Sequence, residues 1–287
     1  MTVPPTDMMT TGNRPVKDRW EFAFVHGFCT RFASLFKDLR FDPNEFEVAL
    51  QSQDLDYWNR IIPLFLGHIS RAKSLLAQGQ RWPAVLPQYL GKVSGKLPWT
   101  ECDPSIAPDA EFRTLSAEQK LLVIWGLCET LLMYEPAVHK YISSCLGNAK
   151  QLVREGFPLA VEPFHMDHQY MYYYFDDGSP WLYRQTDPHY PDCQWEAFVS
   201  SEEEFKTYTA KLAMSTQRHD KIMNRILGRE IKPKIEAASA RKQQQEKTRL
   251  KAAMMHNDVE ILGSRTRTRN KDTKYTYDDE IAAIDEY

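Results

Sequence analysis

Three groups of residues in this chain have the types and spacing that chemistry needs. The first is His165-Met166-Asp167-His168. Two histidines three apart can share one helix face and offer imidazole nitrogens to a metal. Pro163 just before them and the β-forming run after them favour irregular backbone instead, and a metal needs further ligands. The segment therefore reads as a polar lead-in to a hairpin. The second group is Asp176-Asp177, a carboxylate pair followed by Gly178-Ser179. At a hairpin tip such residues serve the turn, because Asp accepts from backbone N–H groups and Gly adopts positive φ. The third is a set of cations. Arg218, Lys221, Arg225, Arg229 and Lys232 fall three or four residues apart. At 100° per residue they occupy an arc of roughly 80° on a helix. Ile222, Met223, Ile226, Leu227 and Ile231 lie beside that arc. The helix can dock by its apolar side and present a cationic stripe, which is either a solvated face or a contact for phosphates.

Other catalytic patterns are missing. The sequence contains no Gly-rich phosphate loop, G-x-S-x-G, H-E-x-x-H or C-x-x-C. Its five cysteines, Cys29, Cys102, Cys128, Cys145 and Cys193, are widely spaced and read as reduced thiols. Cys128 and Cys145 sit on apolar helix faces, unlike a reactive thiol, which needs a cationic and partly exposed setting. The expectation is a protein that is not an enzyme, with no cofactor and no metal. An enzyme built around His165 and His168 is the weakest of the alternatives.

The elements that position these groups are mainly helical. Phe22, Val25, Phe28, Cys29, Phe32, Leu35, Phe36 and Leu39 recur at helical spacing. Asp42-Pro43-Asn44-Glu45 reads as a capped helix start. Asp54 is placed to cap a third helix with Leu55, Trp58, Ile61, Ile62, Phe65 and Ile69 inward, and Pro63 should kink or split it. Ser116 and Gln119 form a capping box ahead of Leu121, Ile124, Trp125, Cys128, Leu131 and Leu132, the strongest apolar face in the chain. Pro136 opens a further helix, and Gly147 ends it. Tyr170–Phe175 and Trp181–Arg184 then read as two strands of one small β-hairpin around the Asp-Asp-Gly-Ser turn. Trp195 and Phe198 lead into a helix over 202–214.

The 287 residues carry 36 basic and 39 acidic side chains, a net charge of −3. The balance is uneven: residues 218–251 carry a net +7, residues 252–287 a net −3, and the first 217 residues a net −7. The whole chain is not a basic nucleic-acid coat, and any such surface is local. The longest apolar stretch, Leu121–Cys128, is far short of the ~20 residues a bilayer needs, so no membrane partner is expected. In the tail, Arg265, Arg267, Arg269 and Lys271 precede Tyr275, Tyr277, Asp278, Asp279 and Glu280. This segment is too polar to fold alone. It reads either as a solubilising extension or as a peptide that contacts histones or nucleosomes.

The order of segments resembles a known family. Phe28-Cys29-Thr30-Arg31-Phe32-Ala33-Ser34-Leu35-Phe36, followed by 41–50 and 55–66, resembles a DDT domain, the three-helix module of accessory subunits in ISWI-type chromatin remodelling complexes. Leu115 through Glu129 is similar to the first segment of the WHIM motif that follows DDT in those proteins. Tyr170 through Gly178, then Trp181-Leu182-Tyr183-Arg184, is similar to its later segment. The resemblance covers about residues 19–215, with a looser match in the tail.

It implies a mainly α fold: a helical DDT bundle packed with a helical WHIM region carrying one small β-hairpin, plus disordered termini. The corresponding segments are 1–18 disordered, 19–78 DDT-like, 79–215 WHIM-like with the hairpin at 170–184, 216–251 a basic helical arm and 252–287 a disordered mixed-charge tail. It also implies a nuclear, non-catalytic subunit that docks on an ISWI-type ATPase and touches nucleosomal or linker DNA, with histones as a further partner. Tyr172, Tyr174, Trp181, Tyr183 and Arg184 are then the partner-binding candidates. The competing expectation is a stand-alone DNA- or histone-binding regulator of transcription without an ATPase partner.

Overall fold

Helix α1, Trp20–Arg31, buries Phe22, Val25, Phe28 and Cys29, as their spacing requires. The computed structural model to which it belongs describes residues 14–36, 39–79, 81–86, 111–147, 161–186 and 193–266. The chain divides into two units, Met1–Glu236 and Ala237–Tyr287. Mainly helical, it also carries a small four-stranded antiparallel sheet.

Helix α2, Pro43–Gln51, starts as its sequence dictates: Asp42 accepts from the Asn44 N–H at 2.9 Å, with proline in the first turn. Glu45 pairs with Arg60 of the next helix at 2.9 Å. That helix, α3, spans Asp56–His68 and buries Trp58, Ile61, Ile62, Phe65 and Leu66. It runs through Pro63, so of the kink or split expected there the split does not occur. Burial of Ile62, Phe65 and Leu66 on either side of the proline holds it, and the break falls at Ile69, before α4, Ser70–Ala77. A short helical turn over 82–86 follows, and its Trp82 indole N–H donates to the Asn59 side chain at 2.8 Å.

Helix α5, Ala117–Tyr134, begins with the full Ser116–Gln119 capping box. It is buried almost all round from Lys120 to Cys128, which marks a central core helix rather than a surface one. Even Lys120 is enclosed, its ammonium donating to the Ser52 carbonyl at 2.6 Å. Helix α6, Pro136–Gly147, packs behind it with Val138 and Cys145 buried. No single described helix is long and apolar enough to cross a membrane.

The single hairpin expected at 170–184 is corrected to a four-stranded meander. β1 is His165–Met166, β2 Tyr170–Tyr173, β3 Leu182–Thr186 and β4 Trp195–Val199, each antiparallel to the next. The Trp195–Val199 segment pairs along β3, from Gln185↔Trp195 to Leu182↔Val199. Between those pairs the register slips by one residue. Such a bulge leaves ladder groups unpaired. Here the Ala197 N–H donates to the Asp18 carboxylate at 3.0 Å. That bond, with Lys17 donating to Ser200 Oγ at 3.1 Å, orders a 3₁₀ turn at Val16–Asp18. The disorder expected over 1–18 therefore fails at its last residues; residues 1–13 lie outside the described ones.

The sheet is the middle layer of the first unit. One face carries Tyr173, Trp181, Tyr183 and Ala197 into the core built by α1, α2, α3 and α5. The other carries Tyr172, Leu182 and Val199 into a second core. That core holds Phe205 and Leu212 from α7, Glu202–Met214, and Met223 from α8, Arg218–Ile226. A π turn at Leu227–Ile231 adds Leu227 and Ile231. Helix α9, Lys232–Thr266, begins there with Ile235 buried. It continues past residue 251, where the tail was expected to become disordered. In the second unit its Leu250 and Met254 are exposed.

Candidate functional site

The cations that the sequence singles out lie on α8 and the turns after it. Arg218, Lys221, Arg225, Arg229 and Lys232 are all exposed. Met223, Leu227, Ile231 and Ile235 are buried on the opposite side, so the helix is fixed by its apolar face and shows its basic one. Arg218, Lys221 and Arg225, with Thr216 and Ile222, line a surface hollow of about 320 Å³. Among the described residues no carboxylate lies within ion-pair distance of these three cations or of Arg229. Lys232 differs, with Glu236 at 3.8 Å, and Lys234 holds Asp176 at the hairpin tip at 2.8 Å.

The five do not form the continuous 80° arc that uniform α geometry gives. The π turn closes i→i+5 hydrogen bonds and so takes up one additional residue. Lys232, just beyond the turn, is rotated by roughly 100° from where an unbroken helix puts it, and Arg229, inside the turn, by part of that. The compact cluster is Arg218, Lys221 and Arg225.

The partner-binding candidates fare differently. Trp181 and Tyr183 are fully buried, so they are core residues and not contact residues. Trp181 stacks on Phe22, ring centroids 5.3 Å apart, and its indole N–H donates to Asn44 at 3.1 Å. Tyr172 is also buried, and its hydroxyl donates to Asp167 at 2.8 Å. Tyr174 is half-buried, its hydroxyl oxygen accepting from the Gly178 N–H at 3.1 Å. Arg184 is engaged by Glu196 at 2.6 Å and lies over the Tyr170 ring at 4.6 Å. An aromatic hairpin reads alike in sequence whether its rings face solvent or a neighbouring helix, and here α1 and α7 cover both sides.

Sequence reasoning passes over His26. The ring is fully buried on α1, with Nε2 donating to the Asp177 carboxylate at 2.8 Å and Nδ1 hydrogen-bonded to the Tyr183 hydroxyl at 2.9 Å. Asp177 also accepts from the Ser179 N–H at 2.9 Å and its hydroxyl at 2.8 Å. Burial pushes the Asp177 carboxyl up, but the His26 hydrogen bond and charge, with the Ser179 donors, hold it below the usual carboxylate range. Asp177 thus serves the turn, as expected, and also ties the sheet to α1. Position 26 lies between Phe22 and Cys29 at helical spacing, and that is the available signal that the ring faces inward.

His165 is part of β1, and burial lowers its pKa. Asp167 accepts from the Gln169 and Tyr170 N–H groups and organises the β1–β2 turn. Among the described residues no group of three His, Cys, Asp or Glu side chains is placed to hold a metal ion. Cys29, Cys128 and Cys145 are buried, and burial pushes the Cys29 and Cys128 thiols well up. In the tail, Arg265 falls within α9, while Arg267, Arg269, Tyr275, Tyr277, Asp278, Asp279 and Glu280 lie outside the described residues. No family model, no curated protein and no solved structure matches the chain.

Proposed function

We propose that the chain is a non-catalytic subunit of an ISWI-like chromatin remodelling complex. It docks on the ATPase and lays the basic face of α8 on linker DNA in the nucleus. One observation carries the DNA contact. Arg218, Lys221 and Arg225 are exposed, lack carboxylate partners among the described residues and surround one hollow, on a helix locked in place by its other side. Seven residues of helix place these cations along roughly 10 Å. Duplex DNA offers about one charge per 1.7 Å of axis, so that span faces several phosphates. The contact is one of position and affinity, without base readout. The ATPase partner is supported by the resemblance of 28–66, 115–129 and 170–184 to DDT and WHIM segments. Histone contact is assigned to the tail from Arg265 to Glu280.

Affinity purification of the tagged full chain after nuclease treatment tests the assembly. The expected result is an ISWI-type ATPase in stoichiometric amount. A chain that binds DNA but brings down no ATPase is the stand-alone regulator instead.

A further inference from the structure

A second surface lies on α1 and α5, within the first unit. Trp20 is 43% exposed although it is a tryptophan at the start of a core helix. Its ring packs edge-on against Trp125 of α5 at 5.0 Å and against Phe24 at 6.2 Å. One turn beyond Trp125 is Glu129, half-buried beside that indole; burial pushes its carboxyl up, and the Trp125 indole pulls it only part of the way back. One turn further, Met133 is 44% exposed. The result is a strip of aromatic and apolar side chains with a carboxylate set into it.

The charges around this strip are unbalanced. Arg19, next to Trp20 in the chain, is already held by two carboxylates, Glu21 at 3.0 Å and Glu118 at 2.9 Å. Lys120, on the same helix, is turned inward to the Ser52 carbonyl. No cation among the described residues lies within ion-pair distance of Glu129. The neutral indole offsets part of the cost of desolvating this carboxylate, and a charge-assisted hydrogen bond from a cation outside relieves the rest. Tryptophan at the centre of a patch is the residue type whose burial contributes most to protein association.

We infer that Trp20, Phe24 and Glu129, backed by the buried Trp125, form a docking surface for a basic, aliphatic-rich segment of a partner protein. Its Lys or Arg meets Glu129 while its aliphatic side chains cover Trp20 and Phe24. This surface is separate from the α8 face and does not rest on the DNA reading.

The test uses the full chain and fluorescent amphipathic peptides of about 15 residues, long enough to fold on contact. One is built from Leu and Lys, the other from Leu and Glu. Anisotropy should show saturable binding of the Leu/Lys peptide and much weaker binding of the Leu/Glu peptide. Trp20→Ala should weaken the former about tenfold. Glu129→Gln, which keeps the shape and removes the charge, should weaken it about threefold or more. Both variants should bind duplex DNA as the parent does. The inference is overturned if the parent fails to bind the Leu/Lys peptide at about 1 mM. It is equally overturned if both peptides bind alike, or if neither variant changes the affinity. A chain that dimerises in sedimentation, and is made monomeric by Trp20→Ala, has a second copy of itself as the occupant, which also contradicts the proposal.

Discussion

Asp177 joins two parts of the fold that lie far apart in sequence. Its pairing with His26 across 151 positions stabilises the folded state only while the carboxyl is ionised. Burial raises that carboxyl, but the His26 and Ser179 donors lower it further, so its folded pKa lies below the unfolded value of about 3.9. A depressed carboxylate contributes stability that is fully present above the unfolded pKa and lost as pH falls through the folded one. Asp177→Asn should therefore cost about 1–3 kcal/mol at pH 7. Urea denaturation should show the gap between parent and variant shrinking below about pH 4. A gap that stays constant down to pH 3 would contradict this account of the pair. The turn role of Asp177 is legible in Asp-Asp-Gly-Ser, because turn chemistry is local. The partner is not, since no local spacing reports which helix a hairpin tip will meet. Trp181 and Tyr183 show the same limit: their types announce a contact, and only the tertiary packing reveals that the contact is internal.

Among the elements, the segment from α8 into α9 follows an unusual rule. Its buried residues Met223, Leu227, Ile231 and Ile235 are each four apart. On a uniform α-helix each such step drifts by about 40°, which would carry Ile235 off the core by roughly 120°. The π turn at Leu227–Ile231 takes up one residue and keeps all four on one side. Deleting Gly228 should convert the turn to regular helix with spacings of four, three and four. Glycine in a helix interior costs about 1 kcal/mol relative to alanine, so the deletion should leave stability within about 1 kcal/mol of the parent in chemical denaturation. A loss of more than about 3 kcal/mol would show that the π geometry itself is needed. Helices α1, α2, α3 and α5 are legible because caps and apolar spacing agree at Asp42, Ser116 and the Phe22–Cys29 face. β1 is too short to show a pattern. β4 is hidden because Trp195 and Phe198 sit three apart, as on a helix, until the bulge sets their register. The continuation of α9 to Thr266 escapes notice because its apolar spacing is weak, and Leu250 and Met254 are exposed rather than packed on a core.

At the scale of the whole first unit, one face of the sheet shares its core with α1, α2, α3 and α5, so the regions resembling DDT and WHIM should not unfold separately. Phe22 against Trp181, Asn44 to the Trp181 indole and His26 to Tyr183 all cross between them. Tryptophan fluorescence and near-UV circular dichroism should report one coincident transition in urea, whereas two separated midpoints would mean two folding units. The central claim is that the second core, on the other face of the sheet, holds Arg218, Lys221 and Arg225 out toward a phosphate backbone. The direct measurement is duplex DNA affinity against salt for the parent and for the triple variant Arg218→Ala, Lys221→Ala, Arg225→Ala, on two duplexes of unrelated sequence. Each phosphate that the variant no longer neutralises should flatten the slope of log affinity against log salt by about 0.9, so the triple variant should be shallower by about 2.7 on both duplexes alike. An unchanged slope in a folded triple variant would contradict the claim and leave the three cations as a solvated face.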